Sequence, residues 1–518
     1  MQRIQIYDTT LRDGTQSEGF TLSANDKVRV AQRLDAFGVA FIEGGWPGSN
    51  PKDVEFFERA RDMEWKNALI AAFGSTCRVK GGPEDDANIK ALLDSHTPVC
   101  TIFGKTWTLH VKEVLQTTNE DNLRIIQDSV AYLRANGKRV LYDAEHFFDG
   151  YKADSAYAIE TLQAAIRGGA ETVVLCDTNG GTLPWDLERI IREVKTAINH
   201  PFGIHTHNDS ETAVISSLVA VREGAIQVQG TINGVGERCG NANLCSIMAD
   251  LELKMGYQCL PKGNIQHLYD LSHFVAEVAN LTPDEHLPFV GKSAFAHKGG
   301  VHVAAMRRSA QSYQHIDPAL IGNKMRVVVS DLSGRGNLLS KAEEHGVEVE
   351  GTEVVPVLNE IKELESRGFS FEAAEASVAM MLKRQEYGYK PPFELIDFFV
   401  NVEHRDKRGI FAEATVKVRV QGEVLHTAAE GNGPVNALDI ALRKALAGYY
   451  PQINRFHLSD YKVRILDSDH GTEAITRVLI DTRNDTSRWS TVGAGTNIIE
   501  ASWRALADSV EYGLMVAH

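Results

Sequence analysis

Residues 203–209 read Gly-Ile-His205-Thr-His207-Asn-Asp209, an H-x-H set in apolar, strand-like sequence. A strand sends alternate side chains to one face, so imidazoles at i and i+2 point together. Neutral imidazole is a common metal ligand, and two converging rings need little more than a carboxylate to hold a divalent ion. Asp13, in Asp8-Thr9-Thr10-Leu11-Arg12-Asp13-Gly14, is a candidate for that carboxylate. Asn241, which closes Gly234-Val235-Gly236-Glu237-Arg238-Cys239-Gly240-Asn241, offers a further oxygen. The set Asp13, His205, His207 and Asn241 contains oxygen and nitrogen but no thiolate. It suits Zn²⁺, Mn²⁺, Mg²⁺ or Co²⁺ and leaves positions open for water or substrate. A 2-oxo acid can fill two such positions through its carboxylate and keto oxygens, and the chemistry expected is Lewis-acid polarisation of the ketone. Two histidines hydrogen-bonded in a polar pocket is the competing reading of the pair alone, and it weakens once Asp13 and Asn241 reach the same rim.

Arg12 adds a permanent cation with a planar donor fork, suited to a substrate oxygen or to an enolate oxygen. An ion pair with Glu43 or Glu145 is its alternative role, and both roles can coexist. Glu145 can orient substrate, abstract a proton or neutralise Arg12; the residues leave these three open. Gly234-x-Gly236-x-x-x-Gly240 has the wrong spacing for a dinucleotide loop and opens no Rossmann unit, so it reads as a close-approach turn presenting Asn241.

What positions these groups is an alternation of strand and helix signals over the first 255 or so residues. Strand-like runs occur at 3–7, 39–43, 68–73, 98–103, 139–143, 172–176, 202–206 and 226–231. Amphipathic helical stretches follow them at 23–37, 52–65, 86–94, 119–136, 153–168, 185–199, 211–223 and 242–254. Ser23 before Asn25-Asp26, and Asp209-Ser210 before Glu211, read as helix caps. Eight such units predict an α/β fold, a closed (β/α)8 TIM barrel over 1–261 with its site at the C-terminal ends of the strands. The polar groups fall at those ends: Arg12 and Asp13 after strand 1, Glu43 after strand 2, Asp143 to His146 at strand 5, Asp177 to Asn179 at strand 6.

Residues 262–391 read as a mainly helical connector with Gly- and Pro-punctuated loops, including Ala296-His297-Lys298-Gly299-Gly300-Val301-His302. His302 alone reads as an exposed loop histidine. From 392 to 518 a β-β-β-α pattern occurs twice, with helices near 436–447 and 498–510, as a C-terminal α+β regulatory module. Its Gly431-x-Gly433 and Gly493-x-Gly495 turns would let a backbone approach a small ligand. The module points to ligand sensing, with dimerisation alone as the competing reading.

Composition sets the class. The chain has 518 residues, 43% hydrophobic and 24% charged, with a formal net charge of −15. That charge argues against nucleic acid or an anionic membrane as main partner. No apolar run approaches a spanning helix, and no signal-peptide region opens the chain. The six cysteines are scattered without C-x-x-C, as fits reduced thiols in a cytoplasmic enzyme.

The Asp8–Gly14, His205–Asp209 and Gly234–Asn241 segments together resemble the signatures of the 2-isopropylmalate synthase/citramalate synthase/homocitrate synthase family of metal-dependent barrels. The resemblance covers essentially the whole chain. Glu43-Gly44-Gly45-Trp46-Pro47-Gly48-Ser49-Asn50-Pro51-Lys52-Asp53 and Tyr142-Asp143-Ala144-Glu145-His146-Phe147-Phe148-Asp149-Gly150 are most similar to the citramalate-forming branch. By that likeness the substrates are pyruvate and acetyl-CoA, and the reaction is the first step of a threonine-independent isoleucine route. The likeness puts the metal ligands on Asp13, His205, His207 and Asn241, the catalytic arginine on Arg12, and substrate contacts on Glu145 and Thr178. It puts the connector histidine on His302 and the connector tyrosine on Tyr313. It also implies a homodimer and feedback by a branched-chain amino acid, isoleucine for this branch. Relatives often carry an acidic residue shortly after the connector histidine, whereas Val303-Ala304-Ala305 follows here.

The reading is a Claisen-type condensation, in which a base removes a methyl proton from acetyl-CoA and the enolate attacks the polarised ketone. Glu145 and His302 form the expected base system, and Tyr313 positions water for thioester hydrolysis. Glu43 is expected to contact substrate, and Phe103 at the end of strand 4 to shorten the pocket. The rivals are the same chemistry on a longer 2-oxo acid, as in isopropylmalate or homocitrate formation, and a metal-dependent aldolase or lyase on the same barrel. A non-catalytic metal-binding protein stands third.

Overall fold

A computed structural model describes residues 3–349, 353–406, 409–466 and 468–516. Eight strands form a closed parallel barrel: β1 (Gln5–Asp8), β2 (Phe41–Gly45), β3 (Leu69–Ser75), β4 (Val99–Lys105), β5 (Arg139–Glu145), β6 (Thr172–Asp177), β7 (Phe202–Thr206) and β8 (Gln227–Gly230). β8 closes on β1, with Gln5 opposite Gln227 and Asp8 opposite Gly230. The (β/α)8 barrel expected from the alternation is the fold, followed by a second region that ends in paired three-stranded sheets. Among the described residues no helix is long and apolar enough to cross a membrane.

Alternation along each strand decides which residues can work in the barrel. Tyr7, Phe41, Ala71, Val99 and Leu141 pack together inside it. Their chain neighbours Ile6, Ile42, Ile70, Cys100 and Val140 face outward, into the larger core beneath the helices. The period of two then carries Glu43, Phe73, Phe103, Lys105, Asp143, Glu145, His205 and Gln229 to the inner face. Two short helices, Thr108–Glu113 and Phe147–Ala153, six and seven residues long, add to the eight principal ones.

The caps divide. Ser23 and Asp26 form the reciprocal capping box expected before Ala24–Phe37. Asp209 does not open the seventh helix, which runs Ala213–Arg222. Its carboxylate is taken by Arg238 at 2.7 and 2.9 Å, and Asn208 Oδ1 accepts from Ala213 N instead. A bidentate charge-assisted pair outweighs a neutral cap.

The chain divides into two compact units, one running to Phe295 and joined by Ile316–Lys324, the other comprising Ala296–His315 and the chain from Met325 onward. Leu268, Leu271, Val275 and Ile321 belong to the barrel's core. Farther on, Val329, Leu338, Val357, Ile361 and Leu382 share a core with Val492 and Ala494. Local periodicity shows a helix but not what it leans on.

In the second unit Glu394–Arg405, Gly409–Val420 and Glu423–Gly431 form an antiparallel sheet followed by the helix Pro434–Leu446. His457–Ile465, Thr476–Arg483 and Arg488–Gly495 repeat it, followed by Ile498–Val516. Both repeats bury side chains in one core, Val416, Val418 and Leu442 beside Val478, Ile480 and Leu506. The first glycine of each turn serves this packing. A Cβ on Gly431 would lie 2.5 Å from Ala437 N, and one on Gly493 2.0 Å from Ala501 O, so both let the following helix approach. Gly433 faces open space.

Candidate active site

β7 delivers His205 from the strand, with His207 just beyond its end. The loop after β8 is folded back on this end. Asn241 pairs with His207 in an isolated antiparallel bridge, and Asn208 N donates to Gly240 O at 2.8 Å. Gly240 has φ of 93°, and a Cβ there would sit 2.0 Å from Gly234 O, so the close-approach turn requires glycine. Arg238 locks the loop from outside through Asp209 and the Thr178 carbonyl at 2.7 Å.

Asp13, His205 and His207 converge. His205 Nε2 lies 3.5 Å and His207 Nε2 4.0 Å from Asp13 Oδ2, and the two Nε2 atoms are 3.2 Å apart. His205 Nδ1 lies 3.0 Å from Gln229 Oε1, and Gln229 Nε2 donates to Asp143 Oδ1 at 3.0 Å. That relay makes Nδ1 the protonated nitrogen and leaves the Nε2 lone pair to face Asp13. Burial lowers the pKa of both imidazoles, His207 to about 3 with help from His205, so the rings are held in the neutral, ligating form. Burial pushes Asp13 upward, but Arg12, His205 and His207 together hold it down at about 2. Asp13 Oδ1, His207 Nδ1 and both amide atoms of Asn241 are buried without a hydrogen-bond partner. Buried polar atoms are rarely left so, and a cation beside Asp13 and the two Nε2 atoms would give partners to the Asp13 and Asn241 oxygens. The residues present fit a divalent ion.

The opposite flank is self-satisfied. Arg12 Nε donates to Glu43 Oε2 at 2.6 Å, Tyr7 donates to Glu43 Oε1 at 2.6 Å, and Thr9 also donates to Glu43. Glu43 is fully buried, and its carboxylate is taken up by Arg12, Tyr7 and Thr9. Burial opposes the charge on Arg12, but Glu43 and Asp13 outweigh it and raise its pKa. The guanidinium lies 3.7 Å above the Phe73 ring. Phe73 stacks on Phe103 at 5.4 Å, and Trp46 meets both edge-on at 5.7 and 5.6 Å, which makes an aromatic wall at the ends of β2, β3 and β4. Glu145 at the end of β5 is ion-paired with Lys105, not with Arg12. Thr178 Oγ1 accepts from His146 N at 2.8 Å, which leaves its hydroxyl hydrogen free to donate.

His302 and Tyr313 belong to the second unit. His302 lies in the short helix Gly300–Met306, not in a loop, and its ring stacks on Tyr313 at 4.2 Å. Sequence reasoning gave no role to Gln229, Asp143, Phe73 or Lys105. The signal for Gln229 was a polar residue spaced by two from Gln227 inside an otherwise buried strand; for Lys105 it was the same spacing from Phe103.

With this geometry in place, comparison with known proteins is decisive. The HMGL-like family model matches residues 3–275, the homocitrate synthase post-HMGL domain-like model 289–368, and the LeuA allosteric (dimerisation) domain model 371–514. The chain is 55% identical to an (R)-citramalate synthase of Geobacter sulfurreducens, over 99% of this chain and 98% of that one. The chain belongs to the (R)-citramalate synthase family. A second member, from Aquifex aeolicus, is 50% identical over 99% of this chain and 98% of its own. A 2-isopropylmalate synthase of Methanocaldococcus jannaschii is 30% identical over 98% of this chain and 94% of its own.

Proposed function

We propose that the protein condenses acetyl-CoA with pyruvate to give citramalate and CoA, the first step of a threonine-independent route to isoleucine. The observation that carries this reading is the Asp13–His205–His207 cluster at the barrel mouth, faced by Arg12 and an aromatic wall. A divalent ion held by Asp13, His205, His207 and Asn241 would polarise the ketone of the 2-oxo acid. Arg12, oriented by Glu43, offers its remaining N–H groups to an oxygen that gains negative charge. Glu145 faces the same space and takes the methyl proton, and Thr178 donates to substrate. The family resemblance adds His302 as a second proton-handling group and Tyr313 as the residue that positions water for hydrolysis. Phe103, backed by Phe73 and Trp46, favours the methyl group of pyruvate over a branched chain.

The test is CoA thiol release from acetyl-CoA with a panel of 2-oxo acids. Pyruvate should turn over far faster than 2-oxoisovalerate. A preference for 2-oxoisovalerate moves the reading to isopropylmalate synthesis, and no release with any 2-oxo acid moves it to a lyase.

For the second unit we propose a dimerising, ligand-sensing role with isoleucine as feedback inhibitor. The dimer is supported by apolar side chains left in water on its sheets, Phe399 at 64% and Ile410 at 71% exposure. Inhibition requires isoleucine to favour the less active conformation, with coupling of about 1–3 kcal/mol. Calorimetry with isoleucine, leucine and valine on the full chain tests it; no heat with any of them leaves dimerisation alone.

A further inference from the structure

We propose that Lys105 is a catalytic residue whose ammonium receives the oxygen of the thioester enolate while Glu145 removes the methyl proton. This deepens the condensation reading and rests on it. Lys105 and Glu145 end neighbouring strands and are paired in register, both on the inner face. Their backbones are pinned from behind: Asn122 Nδ2 donates to the Lys105 carbonyl at 2.8 Å, and Thr106 Oγ1 to the Glu145 carbonyl at 2.6 Å. Both pinning side chains are buried, so the strand ends are fixed without help from the ion pair. The two charged side chains keep 18% and 23% of their surface in water at the mouth.

Chemistry assigns the pair a task. A thioester methyl proton is too weakly acidic for a carboxylate alone, so base and oxygen donor must act together on one acetyl group. Strands about 4.8 Å apart place the two groups within reach of such a small unit. Arg12 is committed toward the other substrate: its Nε is held by Glu43, its NH1 lies 3.5 Å from Asp13, and it covers Phe73. Lys105 Nζ lies 5.3 Å from the Phe103 ring, at the other end of the stacked Phe73–Phe103 pair. Arg12 therefore attends the 2-oxo acid and Lys105 the acetyl group. In the step, the Glu145 carboxylate takes the proton and the C–H electron pair becomes the enolate C=C bond. The thioester C=O pair moves onto oxygen, where Lys105 donates a hydrogen bond without giving up its proton. Entry of the thioester exchanges the Glu145 partner of Lys105 for substrate oxygen.

The experiment compares Lys105→Met and Lys105→Arg with the wild type, using acetyl-CoA and methyl-deuterated acetyl-CoA. Losing one oxyanion donor should lower kcat by about 10²–10³-fold in Lys105→Met. KM for pyruvate and the melting temperature should hold. The deuterium isotope effect on kcat should grow, because enolisation becomes limiting, and Lys105→Arg should recover part of the rate. Unchanged kcat, a loss confined to pyruvate KM, or a loss with no isotope effect and no rescue by arginine overturns the role. A wild type that releases no CoA with any 2-oxo acid removes the condensation reading and this proposal with it.

Discussion

The two flanks of the barrel mouth are built on opposite principles. Around β1, β7 and β8, Asp13, His207 and Asn241 carry buried polar atoms with no partner. Toward β2 to β5 the charges are already paired, Arg12 with Glu43 and Lys105 with Glu145. One flank carries buried oxygens that a cation would satisfy; on the other each charge already has a partner, which the proposed chemistry exchanges. The contrast separates groups that bind from groups that respond to charge as it develops. It also fixes where substitutions should hurt affinity and where they should hurt rate.

The largest effect is expected on the incomplete flank. His207→Ala should abolish turnover and metal binding while circular dichroism shows the barrel intact, since a ligand is lost but little core volume. Next comes the relay behind it. Gln229→Leu frees the His205 Nδ1 proton from its acceptor and should weaken metal affinity by about 10–100-fold. Calorimetric titration with Mn²⁺ measures it, and unchanged affinity would show that the relay does not orient His205. On the complete flank, Phe103→Ala should leave metal affinity alone and relax selectivity. One methylene in an apolar pocket is worth about 1–3 kcal/mol, so discrimination of pyruvate from 2-oxobutyrate should narrow by roughly tenfold or more. Ratios of kcat/KM decide this; an unaltered ratio would place the pocket elsewhere.

The smallest effect concerns pH. Burial first, and Glu43 second, raise Asp143 from an ordinary 3.8 to about 8. The folded chain therefore takes up a proton that the unfolded chain releases, and the stability of the metal-free protein should fall as pH rises from about 4 to about 8. Asp143→Asn keeps an oxygen for Gln229 and should flatten that fall. Melting curves at pH 5 and pH 8 in chelator check it; equal slopes in both proteins contradict it.

What the sequence could tell follows from these same flanks. The barrel was readable because eight strands and eight helices each repeat a local period, and the H-x-H because that period is two. Lys105 and Gln229 were not: Lys105 lies beyond the apolar run that marked strand 4, and the run around Gln229 showed a strand but not which of its two faces lines the barrel. Glu43 was visible as an acid at a strand end, but depth is not written locally, and it lies beneath Arg12. Packing is likewise not written locally: Leu268–Val278 reads as a helix, while its membership of the barrel is set by what it packs against.

The central claim is that Asp13, His205, His207 and Asn241 hold a divalent ion on which condensation depends. Citramalate formation from pyruvate and acetyl-CoA, followed after exhaustive chelation and again after adding Mn²⁺, tests it most directly. The account predicts that activity is lost on chelation and returns with about one equivalent of metal per chain in the wild type but not in His207→Ala. Undiminished citramalate formation by the chelated wild type, or by chelated His207→Ala, would contradict it.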